Sequence, residues 1–113
     1  MQTESYPKIY LYRRIVQAKL FIDENFSENI DLGNISDEAF FSKYHFIRLF
    51  KLAFQTSPYQ YMQEQKLNKA EELLKQTKLP VQEIAYSLGF ENSSSLSRLF
   101  YKRKGIYPSY YRA

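Results

Sequence analysis

Residues 93–100 read SSSLSRLF. Leu96, Leu99 and Phe100 recur at the i, i+3, i+4 spacing of a helix that buries one side. The leading end of that helix otherwise carries Ser93, Ser94 and Ser97, with Arg98 one turn further on. A hydroxyl both donates and accepts hydrogen bonds, and a guanidinium presents a planar fork of donors. This is a chemistry of recognition rather than of bond making. Small polar side chains at a helix start let its backbone come close to another polar surface.

The sequence offers little for catalysis. His45 is the only histidine, and there is no cysteine to pair with it. Asp23/Glu24, Asp37/Glu38 and Glu71/Glu72 are neighbours in sequence, so each pair splays around its helix. Glu71 and Lys75 read as an i, i+4 helix pair. Neither a glycine-rich phosphate loop nor a metal-ligand spacing occurs, so no enzyme, cofactor or metal is expected.

The totals bound the architecture. A chain of 113 residues, 44% hydrophobic and 18% aromatic, can bury a core as one domain or two very small ones. Three glycines and four prolines are few, favouring helices. The lack of cysteine fits a reducing compartment. No run is long enough to span a membrane, and the N-terminus lacks a signal-peptide pattern; the cytoplasm is the expected location. Net charge is +4 with a pI near 9.2. No acid occurs from Ala39 to Gln63, which holds Lys43, Arg48 and Lys51. Another acid-free window runs from Asn92 to Ala113, with Arg98, Lys102, Arg103, Lys104 and Arg112. Two basic surfaces suit a polyanion. Solvated helix faces with clustered charge are the plainer alternative.

Helical spacing organises the chain. Residues 1–8 read as a tail, with Pro7 preventing an early helix. From about Ile9 to Phe26 the stripe is Leu11, Ile15, Ala18, Ile22 and Phe26, widened by Leu20 and Phe21. Asp31 caps a second helix holding Leu32 and Ile35. Ser42 caps a third with Phe46, Leu49, Phe50, Ala53 and Phe54 inward. Ser57 caps, and Pro58 starts, a fourth running to about Gln76. Its inward residues are Tyr61, Met62, Leu67, Ala70, Leu73 and Leu74. Pro80 opens a fifth, holding Val81, Ile84, Ala85 and Leu88, and Gly89 ends it. Asn92 or Ser93 caps the sixth, Gly105 stops it, and Pro108 starts a final turn with Tyr110 and Tyr111. The expected fold is all-α, with seven helices.

A repeat underlies this order. Ile35 matches Ile84 and Phe41 matches Phe90, both 49 apart. Arg48-Leu49-Phe50 matches Arg98-Leu99-Phe100, and Pro58 matches Pro108, at an offset of 50. Each copy is a short helix, a tight turn, a longer helix and a proline restart: a helix-turn-helix used twice. The expected divisions are a 9–56 unit, a 57–78 linker helix and a 79–113 unit.

A helix-turn-helix lays its second helix in the DNA major groove, N-terminal end foremost. Ser93, Ser94 and Ser97 suit base edges there, and Arg98 can take guanine O6 and N7 together. The linker, at about 19 residues of ~1.5 Å each, spans roughly 28 Å. With its turns it could set the two reading helices about 34 Å apart, one turn of B-DNA.

The stretch EIAYSLGFENSSSLSRLFYKRKGIYPSYYR, with FSKYHFIRLFK and SPYQYM before it, resembles the DNA-binding domain of the AraC/XylS transcription regulators. The resemblance covers roughly Ile15 to Arg112. It implies two helix-turn-helix units joined by a long linker helix, binding of double-stranded DNA, and bacterial promoter control, usually activation. RNA polymerase and an attached effector or dimerisation domain are the further partners it implies. Carried over by position, the base-reading residues are Tyr44, Ile47 and Arg48 in the first unit. In the second they are Ser93, Ser94, Ser97 and Arg98. Ser42, Lys43, Lys51, Asn92 and Lys102 then lie near phosphates. Ile47 falls off the apolar stripe, so it is expected exposed and able to touch a thymine methyl. His45 is expected beside this face. Phe40 and Gln55 stand where the family has glycine, and Lys66 where it often has arginine. A bulky residue forced left-handed costs about 1–2 kcal/mol, so the first turn is expected to be reshaped around a packed Phe40. The rival from another class is a helical module whose basic faces meet an acidic protein.

Overall fold

The computed structural model describes residues 5–28, 30–38 and 42–112, with side chains at 9–28, 30–31, 33–37 and 42–112. Among these residues there are seven helices and no strand. They are α1 Ser5–Asn25, α2 Leu32–Glu38, α3 Lys43–Phe54, α4 Pro58–Gln76, α5 Val81–Ser87, α6 Ser93–Lys104 and α7 Pro108–Arg112. The chain forms two compact units: Met1–Asn25 with Ile30–Met62, and Phe26–Asn29 with Gln63–Ala113. Helix α4 begins in the first and ends in the second.

Local chemistry sets the helix ends. Asp31 and Asn34 cap α2 reciprocally: Asn34 N–H donates to Asp31 Oδ1 at 2.9 Å, and Asp31 N–H to Asn34 Oδ1 at 3.0 Å. Ser42 accepts from His45 N–H, Ser57 from Gln60 N–H, and Asn92 from Ser95 N–H. Asn92, not Ser93, is thus the cap of α6. Pro80 sits just before α5 as its cap position. That helix closes with Gly89 N–H donating to Tyr86 O and Phe90 N–H to Ala85 O, the paired bonds of a Schellman end. Gly89 has a φ of 85°, the left-handed backbone this ending needs.

Helix α1 starts at Ser5, so the expected tail of residues 1–8 is too long. Pro7 falls in the first turn, where its missing N–H leaves no helical bond unmade. Leu20 does not widen the buried stripe; it is 52% exposed. Phe26 lies beyond the end of α1 and packs with the second unit's core. The expected reshaped turn at Phe40, and the Phe41–Phe90 match, lie outside the described residues.

Two cores repeat one plan. Ile15, Ala18 and Ile22 of α1 are buried in the first unit with Ile35, Phe46 and Phe50. In the second, Leu67, Ala70 and Leu74 of α4 cluster with Ile84, Ala85, Leu88, Leu96 and Phe100. The α1 and α4 sets correspond at an offset of 52. Pro58 and Pro108 are both fully buried. Gln55 and Gly105 both adopt left-handed backbone, with φ 63° and 76°, and their N–H groups donate to Lys51 O and Tyr101 O. The glycine missing from the first copy is therefore replaced without a change in geometry.

The offset of 52 carries an exchange of sign. Lys19 and Asp23 on α1 correspond to Glu71 and Lys75 on α4. In the first unit Tyr61 donates its hydroxyl to Asp23, and Lys19 Nζ lies 4.9 Å from the Tyr61 ring centroid. In the second Tyr111 donates to Glu71 at 2.6 Å, and Lys75 Nζ lies 5.5 Å from the Tyr111 ring centroid. Each tyrosine so joins its carboxylate and its ammonium, with their order along the helix reversed. Glu71's close ion pair is with Lys104 at 3.2 Å, and Lys75, the i, i+4 partner the spacing suggested, adds its attraction from further away. The packing of α6 and α7 against α4 supplies a better-placed ammonium and a hydroxyl. Tyr111 first, and Lys104 next, hold the Glu71 carboxyl below its ordinary pKa.

Candidate nucleic-acid interface

Burial of Phe46 and Phe50 fixes the roll of α3. Tyr44, Ile47, Arg48 and Lys51 then share an outward stripe at i, i+3, i+4, i+7. Tyr44 is 76% and Ile47 36% exposed, and Arg48 and Lys51 are exposed too. Lys43 is also exposed, but its chain lies alongside α2. A Cβ on Gly33 would come within 3.3 Å of Lys43 Cε. His45 is exposed next to this stripe, and its N–H serves the Ser42 cap at 3.3 Å. The first-unit assignments are thus gathered on the start and one face of α3.

Burial of Leu96 and Phe100 does the same for α6. Ser94 and Arg98 are exposed, while Ser93 and Ser97 lie half-buried toward the edge of the stripe. Asn92 Oδ1 accepts from Ser95 N–H at 2.9 Å and from its hydroxyl at 3.2 Å. That leaves the Asn92 amide nitrogen as the group suited to a phosphate. The cap also answers why the helix tolerates its serine run: one side chain satisfies two donors at once.

The second acid-free window is not one basic surface in space. Arg103 pairs with Glu64, and Lys104 with Glu71, both on α4. Arg112 donates Nε to Leu74 O at 3.2 Å and NH1 to Leu79 O at 2.5 Å. Three of its five cations therefore hold α6 and α7 in place. Arg98 and Lys102 are the two left exposed without an ion pair among the described residues. Windows free of acid in sequence meet the acids of a packed neighbour once the chain folds.

Two residues carry more than the sequence suggested. Tyr101 completes the stripe Ser94, Ser97, Arg98, Tyr101 and is 48% exposed. It stacks on Tyr107, with ring centroids 4.5 Å apart and planes at 25°. The offset of 50 pairs it with Lys51, a correspondence that could have found it. Lys66 is only 7% exposed, with its Nζ 5.1 Å from the centroid of the Phe90 ring. Burial pushes its pKa down, since the charged form loses water. Its position is structural, a cation over the aromatic that closes α5.

Among the described residues no cluster of acids or histidine could hold a metal ion, and no helix is long and apolar enough to cross a membrane. A helix-turn-helix domain family matches residues 35–113. A solved transcriptional regulator with an AraC-type DNA-binding domain, from Chromobacterium violaceum, superposes with a TM-score of 0.81 at 27% identity. The match covers 89% of this chain and 90% of that one. The chain belongs to the AraC-type helix-turn-helix family. DNA binding in transcription regulation is the function this AraC-type domain brings. The DNA-binding domain of the global transcriptional factor AdpA, solved in complex with a target DNA, is also similar. It is 26% identical, with a TM-score of 0.83, over 87% of this AraC-type chain and 88% of that one. An uncharacterized HTH-type transcriptional regulator of Bacillus subtilis, YfiF, is 33% identical over 99 residues. The alignment spans 88% of this chain but 31% of YfiF, so the AraC-type domain is about a third of that relative's length.

Proposed function

We propose that this domain binds specific double-stranded DNA sequences with α3 and α6 as its reading helices. Tyr44, Ile47 and Arg48 read bases in one major groove; Ser93, Ser94, Ser97 and Arg98 read bases in the next. Ser42, Lys43, Lys51, Asn92 and Lys102 hold phosphates. One observation carries the reading: burial of two equivalent apolar pairs, Phe46/Phe50 and Leu96/Phe100, turns two equivalent stripes outward, with no carboxylate on either. An arginine stands at the same place in each, Arg48 and Arg98, where a guanidinium can take a guanine edge. Promoter activation in the cytoplasm, with RNA polymerase as partner and an effector or dimerisation domain as regulator, completes the proposal.

Selection from a random duplex library tests it. The expected product is a site of two short blocks about one helical turn apart, centre to centre roughly 34 Å. A chain that binds every duplex alike, or that prefers an acidic protein surface to any duplex, refutes it.

A further inference from the structure

A recess of about 350 Å³ opens in the second unit beside the stripe of α6. Ser93 and Ser97 line it from α6, Gln82 from α5, and Tyr107, Ser109 and Tyr110 from the turn before α7 and α7 itself. No carboxylate and no cation lines it. Its polar groups are hydroxyls and one amide, each able to donate a hydrogen bond. Two walls are held in place: Tyr107 by its stack on Tyr101, and Gln82 by donating to the Tyr86 hydroxyl at 3.2 Å.

The recess has a definite place around the helix. At 100° per residue, Lys102 falls on one side of the Ser94–Arg98 stripe and Ser93 on the other, where the recess lies. A helix seated in a major groove has a sugar–phosphate strand along each flank. Lys102 then faces one strand and the recess faces the other. Half or more of the hydrogen bonds in such interfaces go to phosphate and sugar, many from neutral side chains.

We propose that Gln82, Tyr107 and Ser109 form an uncharged cradle for the DNA backbone on the flank opposite Lys102. This rests on α6 entering the groove, as proposed above. The cradle grips the sugar–phosphate strand and touches no base edge. It does so without a lysine or arginine, and the salt dependence of DNA binding follows the phosphates that cations neutralise. Affinity supplied by the cradle is therefore insensitive to salt.

The test uses the whole chain and the triple variant Gln82→Ala/Tyr107→Phe/Ser109→Ala. Binding to a selected site and to an unrelated duplex is measured between about 50 and 200 mM salt. The expected result is a loss of about tenfold or more on both duplexes, with parallel salt slopes and an unchanged ranking of sites. Ser109→Glu gives a second reading without removing any wall. It should weaken binding far more than Gln76→Glu, the same charge change at the end of α4. Circular dichroism verifies that each variant keeps its helices. Wild-type affinity in both the triple variant and Ser109→Glu overturns the cradle, as does a flattened slope or a reordered ranking. A wild-type chain that ranks sites while the variants match it refutes the cradle alone. A wild-type chain with no ranking refutes the groove reading and the cradle with it.

Discussion

Exchanging residues at the two helix ends that share one backbone geometry should move stability in opposite directions. Gly105 ends α6 at φ 76°, and nothing lies within 4 Å of where a Cβ would stand. Gly105→Ala therefore meets no clash, and its cost is the conformation itself. A left-handed residue with a Cβ costs about 1–2 kcal/mol. Restricting the unfolded chain returns about 0.4–1 kcal/mol. The net loss is about 0.5–1 kcal/mol. At Gln55, φ 63°, the exchange to glycine runs the other way. It relieves the same strain, gives up the same restriction of the unfolded chain, and loses an exposed bond from Gln55 Nε2 to Leu52 O at 3.3 Å. That long bond is worth no more than about 0.5 kcal/mol. Gln55→Gly should thus gain up to about 1 kcal/mol. Urea unfolding of both variants, with unchanged slope against denaturant, measures the two numbers. Destabilisation by Gln55→Gly, or a neutral Gly105→Ala, would show that backbone strain does not set these ends.

Arg98→Ala should cost about 1–3 kcal/mol of binding and relax preference at one base pair, read from competition among single-substituted sites; an unchanged ranking removes Arg98 from base reading. Lys102→Ala should weaken all duplexes alike and lower the salt slope by about one. Tyr111→Phe should destabilise by about 1–2 kcal/mol, because it strips Glu71 of its partly buried donor; thermal unfolding measures it. Glu71 also predicts a pH effect. Its folded pKa is depressed, so its contribution is present above the ordinary value of 4.5 and is lost as pH falls through the lower folded value. The stability gap between the wild type and Glu71→Gln should hold at neutral pH and close in that acid window. A gap independent of pH would deny Glu71 that role.

Helix ends were legible because capping is local. Asp31, Ser42, Ser57 and Asn92 act within three residues of themselves, and Gly89 and Gly105 mark backbone that other residues avoid. The start of α1 was not legible: Pro7 reads as a barrier in sequence, whereas a first turn has no bond for it to break. The outward stripes were legible for a related reason: once Phe46, Phe50, Leu96 and Phe100 face inward, the helical period places everything else. What stayed hidden depends on partners far along the chain. Glu64 and Glu71 claim Arg103 and Lys104 across more than thirty residues, and Arg112 spends its guanidinium on two carbonyls. Charge counted in windows cannot see that. The place of Tyr101 and the burial of Lys66 were not legible because each departs from what its counterpart or its type suggests: an aromatic opposite Lys51, and a lysine held over a ring.

The reversed charges on α1 and α4 give the molecule a means of telling its halves apart. The two cores are built on one plan, with Ile15, Ala18 and Ile22 on α1 where α4 has Leu67, Ala70 and Leu74. If α1 settled where α4 belongs, Lys19 would stand in the place of Glu71, against Lys104 and the Tyr111 hydroxyl. Two ammonium groups would meet where an ion pair should form. The wrong docking is thus refused at a polar lock rather than in the apolar interior, which by itself would accept either key.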